Sequence, residues 1–303
     1  MLSAGEVILQ QLMNGLILGS FYALIALGYS MVYGIIKLLN FAHGDIYMTG
    51  AFVGFFVFGI LAGTVGSSWG GVILAMLAAM CVCGLLGFLI QLLAYRPLFD
   101  APRLSLLITA IGVSLILYNT VMIITNGEYM FFQHSIPAGG LTFGNVTITW
   151  VQLVLLAITA VLMLVLSWFI GTTIWGKAMR AISLDKPTCR LMGINVNKII
   201  GLTFFIGSAL AAVAGVMSCV YYGSLHYFMG YMMGIKAFTA AVIGGIGSIP
   251  GAMLGGLLLG LLEAAGTQAL GSSWKDVFAF SLLIIMLIFK PTGLLGKTEI
   301  ERM

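Results

Sequence analysis

Charge-free apolar runs separated by short charged breaks dominate the chain. Asp, Glu, Lys and Arg are absent from residues 7–36, 46–95, 104–127, 129–176, 199–235, 237–262 and 277–289. Crossing a hydrocarbon core of roughly 30 Å takes about 20 helical residues, and most of these runs reach that length. The runs are continuously apolar, whereas lipid-facing barrel strands alternate with polar lumen positions, so helices are predicted rather than a barrel. The breaks place helices near residues 7–36, 46–61, 72–95, 104–125, 150–170, 199–222 and 277–290. Between residues 222 and 275 an even number of crossings is required, and the stretch is interrupted by Lys236, Gly244, Gly245, Gly247 and Pro250. A short or re-entrant segment near 230–249 and a fuller helix near 251–269 are predicted there. The fold class is therefore all-α: a polytopic transmembrane helix bundle with about 8 membrane segments, some discontinuous or re-entrant, forming a single domain over residues 1–303.

Residues 40–50 and 244–251 are where helices look discontinuous. Broken backbone at membrane depth is tolerated only inside protein or beside water, so such breaks point to a transport pathway. The alternative is that each is a surface loop, since loop-forming Gly and Pro occur in any membrane protein.

Composition agrees with the pattern. With 61% hydrophobic and 7% charged residues and a mean hydropathy of +1.14, too little polar surface is available to solvate a globule. The start MLSAGEVILQ lacks the basic region of a cleavable signal, so the first helix is expected to stay. Cys81, Cys83, Cys189 and Cys219 show no metal-ligand spacing and read as small apolar fillers. The net charge of +4 calls for no nucleic acid, because Lys and Arg gather in a few breaks. These are Arg96 with Arg103; Lys177, Arg180, Lys186, Arg190 and Lys198; and Lys290, Lys297 and Arg302. The positive-inside rule makes all three cytoplasmic and residues 126–150 and 266–276 periplasmic, giving a periplasmic N-terminus and a cytoplasmic C-terminus.

Several apparent motifs carry no chemistry. Gly296-Lys297-Thr298 resembles the end of a phosphate loop, but Pro291 stands where its first Gly belongs, and the run from Gly245 fails the dinucleotide fingerprint at Pro250. No His-Glu-x-x-His or Gly-x-Ser-x-Gly motif occurs, which leaves no basis for an intramembrane hydrolase. The densest polar cluster beside a span is Asn40-Phe-Ala-His43-Gly-Asp45. It lines a pathway, or it forms a turn in which Asp45 complements the dipole of the next helix. Gly245 and Gly247 mark the second break. Glu263, within GGLLLGLLEAAG, is either a pathway or packing carboxylate inside the bundle or a boundary residue near the periplasmic face. His226 and Lys236 border the re-entrant segment, and Lys236 is expected to snorkel to the interface. Pairs such as Gly15/Gly19 and Gly256/Gly260 predict close helix approach and a compact bundle.

The basic break at 177–198 reads as a short amphipathic helix near 178–184, a polar turn, and a second helical stretch ending at Gly193. Met179, Ile182, Leu191 and Met192 are more apolar than a solvated loop needs, which points to a docked protein partner.

The segments NGLILGSFYALIALGYSMVYGIIKLLNFAHGD, AYRPL, LITAIGVSL, GKAMRAISLD with LMGIN, and KAFTAAVIGGIGSIPGAMLGGLLLGLLE resemble the permease subunits of bacterial branched-chain amino-acid ABC importers, over about residues 10–296. The resemblance implies an inner-membrane subunit paired with a second, homologous permease, two cytoplasmic ATPase subunits and a periplasmic substrate-binding protein. ATP is then bound by the partner subunits, with no cofactor, metal or catalytic residue in this chain. The loop holding Arg180, Asp185, Lys186, Arg190 and Gly193 corresponds to the helix that couples to the ATPase. Family members often begin this loop Glu-Ala-Ala; Ala178, Ala181 and Gly193 remain here, but no Glu begins it. Asn40, His43, Asp45, Gly245, Gly247 and Glu263 are the pathway candidates. The alternatives are a permease for urea or amides, an autonomous facilitator or channel for a small neutral solute, and, third, an intramembrane enzyme.

Overall fold

The structure, a computed structural model, describes residues 4–65, 69–99, 101–132, 139–143 and 146–296. Lys297 and Arg302 of the basic tail lie outside the described residues. Eleven α-helices are seen among those described: α1 (Ala4–Ile36), α2 (His43–Val65), α3 (Trp69–Ile90), α4 (Arg103–Ile124), α5 (Trp150–Thr172), α6 (Ile174–Leu184), α7 (Lys186–Leu191), α8 (Val196–Tyr222), α9 (Met229–Gly244), α10 (Ile249–Leu270) and α11 (Lys275–Phe289). Eight helical segments are long and apolar enough to span a membrane, and α9 is a shorter apolar helix. The expected bundle of about eight segments, some of them discontinuous, is what forms, with α9 as the short segment expected near 230–249.

Burial separates the helices into two groups. The spans of α1 and α8 are mostly buried, whereas few residues of α4 and α11 are. In lipid no hydrophobic force drives helices together, so association rests on close packing and polar contacts. The α1–α10 contact shows how. A Cβ on Gly19 would lie 2.8 Å from the Leu257 Cα, and one on Gly260 would lie 2.4 Å from the Gly19 Cα. The two small-residue pairs singled out above, Gly15/Gly19 and Gly256/Gly260, thus face one another and bring the backbones into contact.

The basic residues gather at one end of the bundle, at the starts of α4 and α8, in α6 and α7, and after α11. The opposite end carries two small antiparallel ladders that the sequence reading missed. β1 (Met130–Phe131) pairs with β4 (Ser224–Leu225), and β2 (Gly140–Phe143) with β3 (Val146–Thr149), Gly140 opposite Thr149. Part of the signal was present: the β-branched run Val146–Thr149 follows Gly144-Asn145, a dipeptide suited to a hairpin connection. At the end of β3, Thr149 caps α5. Its hydroxyl accepts from Gln152 N at 3.3 Å, and the Gln152 side chain accepts from Thr149 N at 2.9 Å, a capping box.

Two helices begin inside the bundle. The His43 ring, on the first residue of α2, packs edge-on against Tyr29 with centroids 4.8 Å apart, and it occupies the space a Cβ on Gly28 would need, close to Gly207 O. Gly28 precedes the basic end of α1 by eight residues and Gly207 follows the basic end of α8 by eleven, so at 1.5 Å per residue α2 starts roughly 12–16 Å deep. From there α2 runs to the opposite end. Gly230 and Gly234 in the first turns of α9 meet Gly44, and a Cβ on Gly44 would lie 2.4 Å from Gly230 O. α9 runs the other way, since Gly247, just beyond its end, meets Gly34 of α1. The non-helical entries to α2 and α9 therefore reach mid-depth from opposite ends of the bundle, where the two N-termini cross.

Candidate functional site

Beside this crossing lies a cavity of about 420 Å³, walled by α1, α2, α4 and α9. Asp45 contributes its carboxylate from the first turn of α2. It is buried and accepts a short hydrogen bond from the Ser114 hydroxyl of α4. The hydroxyls of Tyr29, Tyr118 and Tyr231 add polarity, while Ile111, Leu115 and Phe238 supply apolar wall. The Tyr29 ring, packed edge-on against His43, stands at the mouth of α2. Asp45 lies in the first turn of α2, where its charge faces the dipole of its own helix, and its side chain also lines the cavity. The first turn of α9 forms another part of the wall, so two positive helix ends lie next to one small space.

Asn40 and His43 sit behind this cavity. The Tyr95 hydroxyl donates to Asn40 Oδ1 at 2.9 Å. Asn40 Nδ2 and His43 Nε2 are buried and meet no hydrogen-bond acceptor among the described residues. The segment from Asn40 to Asp45 thus brings three of the named residues into one region. Ser114, Tyr118 and Tyr231 were missed, because an isolated hydroxyl in an apolar run carries no signal of depth or facing.

The remaining candidates lie elsewhere. Gly245, at φ +104°, packs against the segment after α11, where Leu294 N and Leu295 N donate to the carbonyls of Ile243 and Gly244, each at 2.9 Å. These bonds satisfy carbonyls that the end of α9 leaves open. Gly247 packs on Gly34 near the basic end. Glu263 is fully buried within the bundle. It accepts from the Tyr22 hydroxyl at 2.8 Å and pairs with Lys236 at 2.9 Å.

For Lys236 the structure overturns the expectation of snorkelling. Its ammonium is buried and contacts Asp276 at 2.6 Å as well as Glu263, with Lys275 at 3.7 Å from Glu263. Two carboxylates supplied by α10 and α11 hold the lysine inside, where water at an interface would otherwise have done so.

The basic loop forms two helices, as expected. The Arg180 guanidinium donates to the Ile170 and Gly171 carbonyls, closing the end of α5. Asp185 caps α7: its carboxylate accepts from Thr188 N at 3.1 Å and from the Thr188 hydroxyl, which holds its pKa below the usual carboxylate value. Gly193 N donates to Arg190 O and Ile194 N to Cys189 O, a helix stop that places Gly193 at φ +79°. Of the four apolar residues taken as partner contacts, Met179 and Ile182 instead pack into the chain's own core. Leu191 and Met192 stand exposed, joined by Leu184.

Comparison with known proteins gives the family. Residues 11–287 match the family model described as the permease component of the branched-chain amino acid transport system. The high-affinity branched-chain amino acid transport system permease protein BraD of Pseudomonas aeruginosa is 48% identical over 97% of both chains. LivH of Escherichia coli, of the same description, is 45% identical over 97% of both. An autoinducer 2 import system permease, LsrC of Yersinia pseudotuberculosis, is 29% identical over 44% of this chain. With a family model spanning nearly all of its length and full-length relatives at this identity, the chain belongs to the branched-chain amino acid transport system permease family.

Proposed function

We propose that this chain is a membrane-spanning permease subunit of an ABC importer, moving branched-chain amino acids through the cavity at the α2–α9 crossing. The observation that carries this reading is a buried carboxylate, Asp45, at the meeting point of two helix N-termini beside a mainly apolar cavity. A small amphiphile with an ammonium, a carboxylate and an aliphatic side chain finds complementary groups there: Asp45 for the ammonium, the α9 N-terminus for the carboxylate, apolar wall for the remainder. Asn40 and His43 support the same turn, and Gly245, Gly247 and Glu263 act in packing rather than in the path.

Motion reaches the path through α6 and α7. Leu184, Leu191 and Met192 form the apolar surface offered to an ATPase, while Arg180, Asp185 and Gly193 set the shape of that surface. Lys186 and Arg190 line the inner side of the loop. ATP is bound by two partner ATPases, with a second permease and a periplasmic binding protein completing the transporter in the inner membrane. The N-terminus is periplasmic and the C-terminus cytoplasmic. The partial match to an autoinducer 2 permease fits a division in which the binding protein does much of the substrate selection.

The test is reconstitution in proteoliposomes with the cognate ATPases, second permease and binding protein. Leucine uptake is expected only from the complete set, and the chain alone hydrolyses no ATP. Gly193→Ile, which forces a β-branched residue into the left-handed region at a cost of roughly 1–2 kcal/mol, is expected to insert normally while lowering uptake and ATPase stimulation together. Wild-type uptake by this variant, or ATP hydrolysis by the isolated chain, would overturn the reading.

A further inference from the structure

The chain enters α9 from the end of the bundle opposite the basic residues, through a short strap, residues 223–228. A continuous line of aromatic rings crosses that strap. Tyr129 stacks on His226 with centroids 4.2 Å apart, and His226 meets Tyr227 at 4.0 Å. Tyr118 of α4 then meets Tyr227 edge-on at 5.2 Å and Phe228 edge-on at 6.1 Å. Phe228 stacks on Tyr231 of α9 at 5.2 Å. Tyr118, Phe228 and Tyr231 also line the cavity beside Asp45. Phe228 precedes α9, which runs toward the basic end, and Tyr118 lies one turn past Ser114, the partner of Asp45. The rings therefore stand at the end of the cavity farther from the basic residues.

The two sides of this ring contact are held differently. On the strap, Leu225 is buried in a small apolar cluster with Met48 and Phe52 of α2 and Cys219 of α8. The strap is also tied by the β1–β4 ladder and by Phe132 N, which donates to Gly223 O at 2.9 Å. On the other side, few residues of α4 are buried, and Val121 is its member of that cluster. Between α4 and β1 the chain reverses at Asn126 and Gly127, with φ +52° and +71°, the left-handed conformation of a tight turn. That turn is a hinge about which α4 can lean while the ladder and the strap stay in place.

We propose that the contact of Tyr118 with Tyr227 and Phe228 is a gate at this end of the cavity. It is closed in this structure, and it opens when α4 leans away from the strap, withdrawing Val121 and admitting solute to Asp45. The proposal rests on the reading of the cavity as the path. Ring pairs suit the task, because they exclude water with apolar area while each edge-on contact adds only a small attraction, so the seal parts at low cost.

The test reads access rather than transport. Ile235→Cys, one turn past Tyr231 on the cavity wall, is combined with Cys81→Ser, which removes an exposed native thiol. The transporter is reconstituted in sealed vesicles with its ATPases, second permease and binding protein, and a membrane-impermeant thiol reagent is applied to the face opposite the basic loops. Tyr118→Ala/Phe228→Ala is expected to speed labelling at Ile235→Cys roughly tenfold at rest, the scale on which losing two ring contacts shifts an open–closed equilibrium. Trp274→Ala, which removes a half-exposed ring at the same end but outside the ring line, is expected to leave the rate unchanged. With every ring in place, labelling is expected to be faster during ATP turnover than at rest, which keeps the test valid if the double variant folds poorly. Measurable labelling that neither the double variant nor turnover accelerates would overturn the gate and leave the path reading standing. No labelling under any of these conditions would show that water does not reach the cavity and would overturn both.

Discussion

The bundle buries carboxylates in two places and treats them in opposite ways. Glu263 is met by the Lys236 ammonium, by Tyr22 and, at longer range, by Lys275, and Asp276 closes the set from the rim. Asp45 is met by the Ser114 hydroxyl and stands beside a cavity. A carboxylate surrounded by fixed cations has its charge matched permanently and ties helices together, here α1, α9, α10 and α11. One whose only hydrogen-bond or ion-pair partner among the described residues is a hydroxyl, with adjoining space, retains attraction for a cation that arrives and leaves. The first arrangement suits a scaffold, the second the path proposed above.

That contrast can be broken most severely at Lys236. Lys236→Met strands Glu263 without its main partner, and removal of one member of a buried pair costs about 3–5 kcal/mol. Thermal unfolding in detergent should show a large loss, recovered in good part by adding Glu263→Leu; an unchanged melting temperature for the single variant would mean the network is not structural. Asp45→Asn should do the reverse. Neutralising a carboxylate that lacks a cation leaves the melting temperature equal or higher, because an isolated charge at depth costs several kcal/mol, while leucine uptake in the reconstituted transporter falls about tenfold or more. Normal uptake would remove Asp45 from the path. The smallest effect is expected for Ser114→Ala, where losing one hydrogen bond to a charged group, worth about 1.5–3 kcal/mol at most, lets Asp45 reorient and lowers uptake by a few-fold. A drop equal to that of Asp45→Asn would make Ser114 a direct contact of the solute.

How much of this could be read beforehand follows from the range of the interactions. Helix positions come from local runs of apolar residues, so α9 and α10 fall within a few residues of the predicted 230–249 and 251–269. The loop helices α6 and α7 were visible for the same reason, their amphipathic spacing being local. Burial of Lys236 was not legible, since the carboxylate that draws it deepest comes from α10 and the other from α11. The depth of His43 was legible only as one of two alternatives. The break at 40–50 fitted backbone entering at membrane depth or a surface loop, and what allows the deep entry, the glycines at 28, 44, 230 and 234, could not be picked out from the 40 glycines in the chain. Met179 and Ile182 were misassigned to a partner because a helix lying on its own core shows the same stripe as one awaiting a docked protein.

The bonds from Leu294 and Leu295 to the end of α9 bear on how the protein is made. α9 is too short to span the bilayer by itself, and the donors that complete its end are synthesised some fifty residues after it. At about 5–20 residues per second, a translocon would hold this half-helix for seconds before its last two carbonyls could be matched. Insertion of the final helix and completion of the end of α9 are then a single late event in biogenesis, and a chain released before residue 294 would lack the donors that close α9.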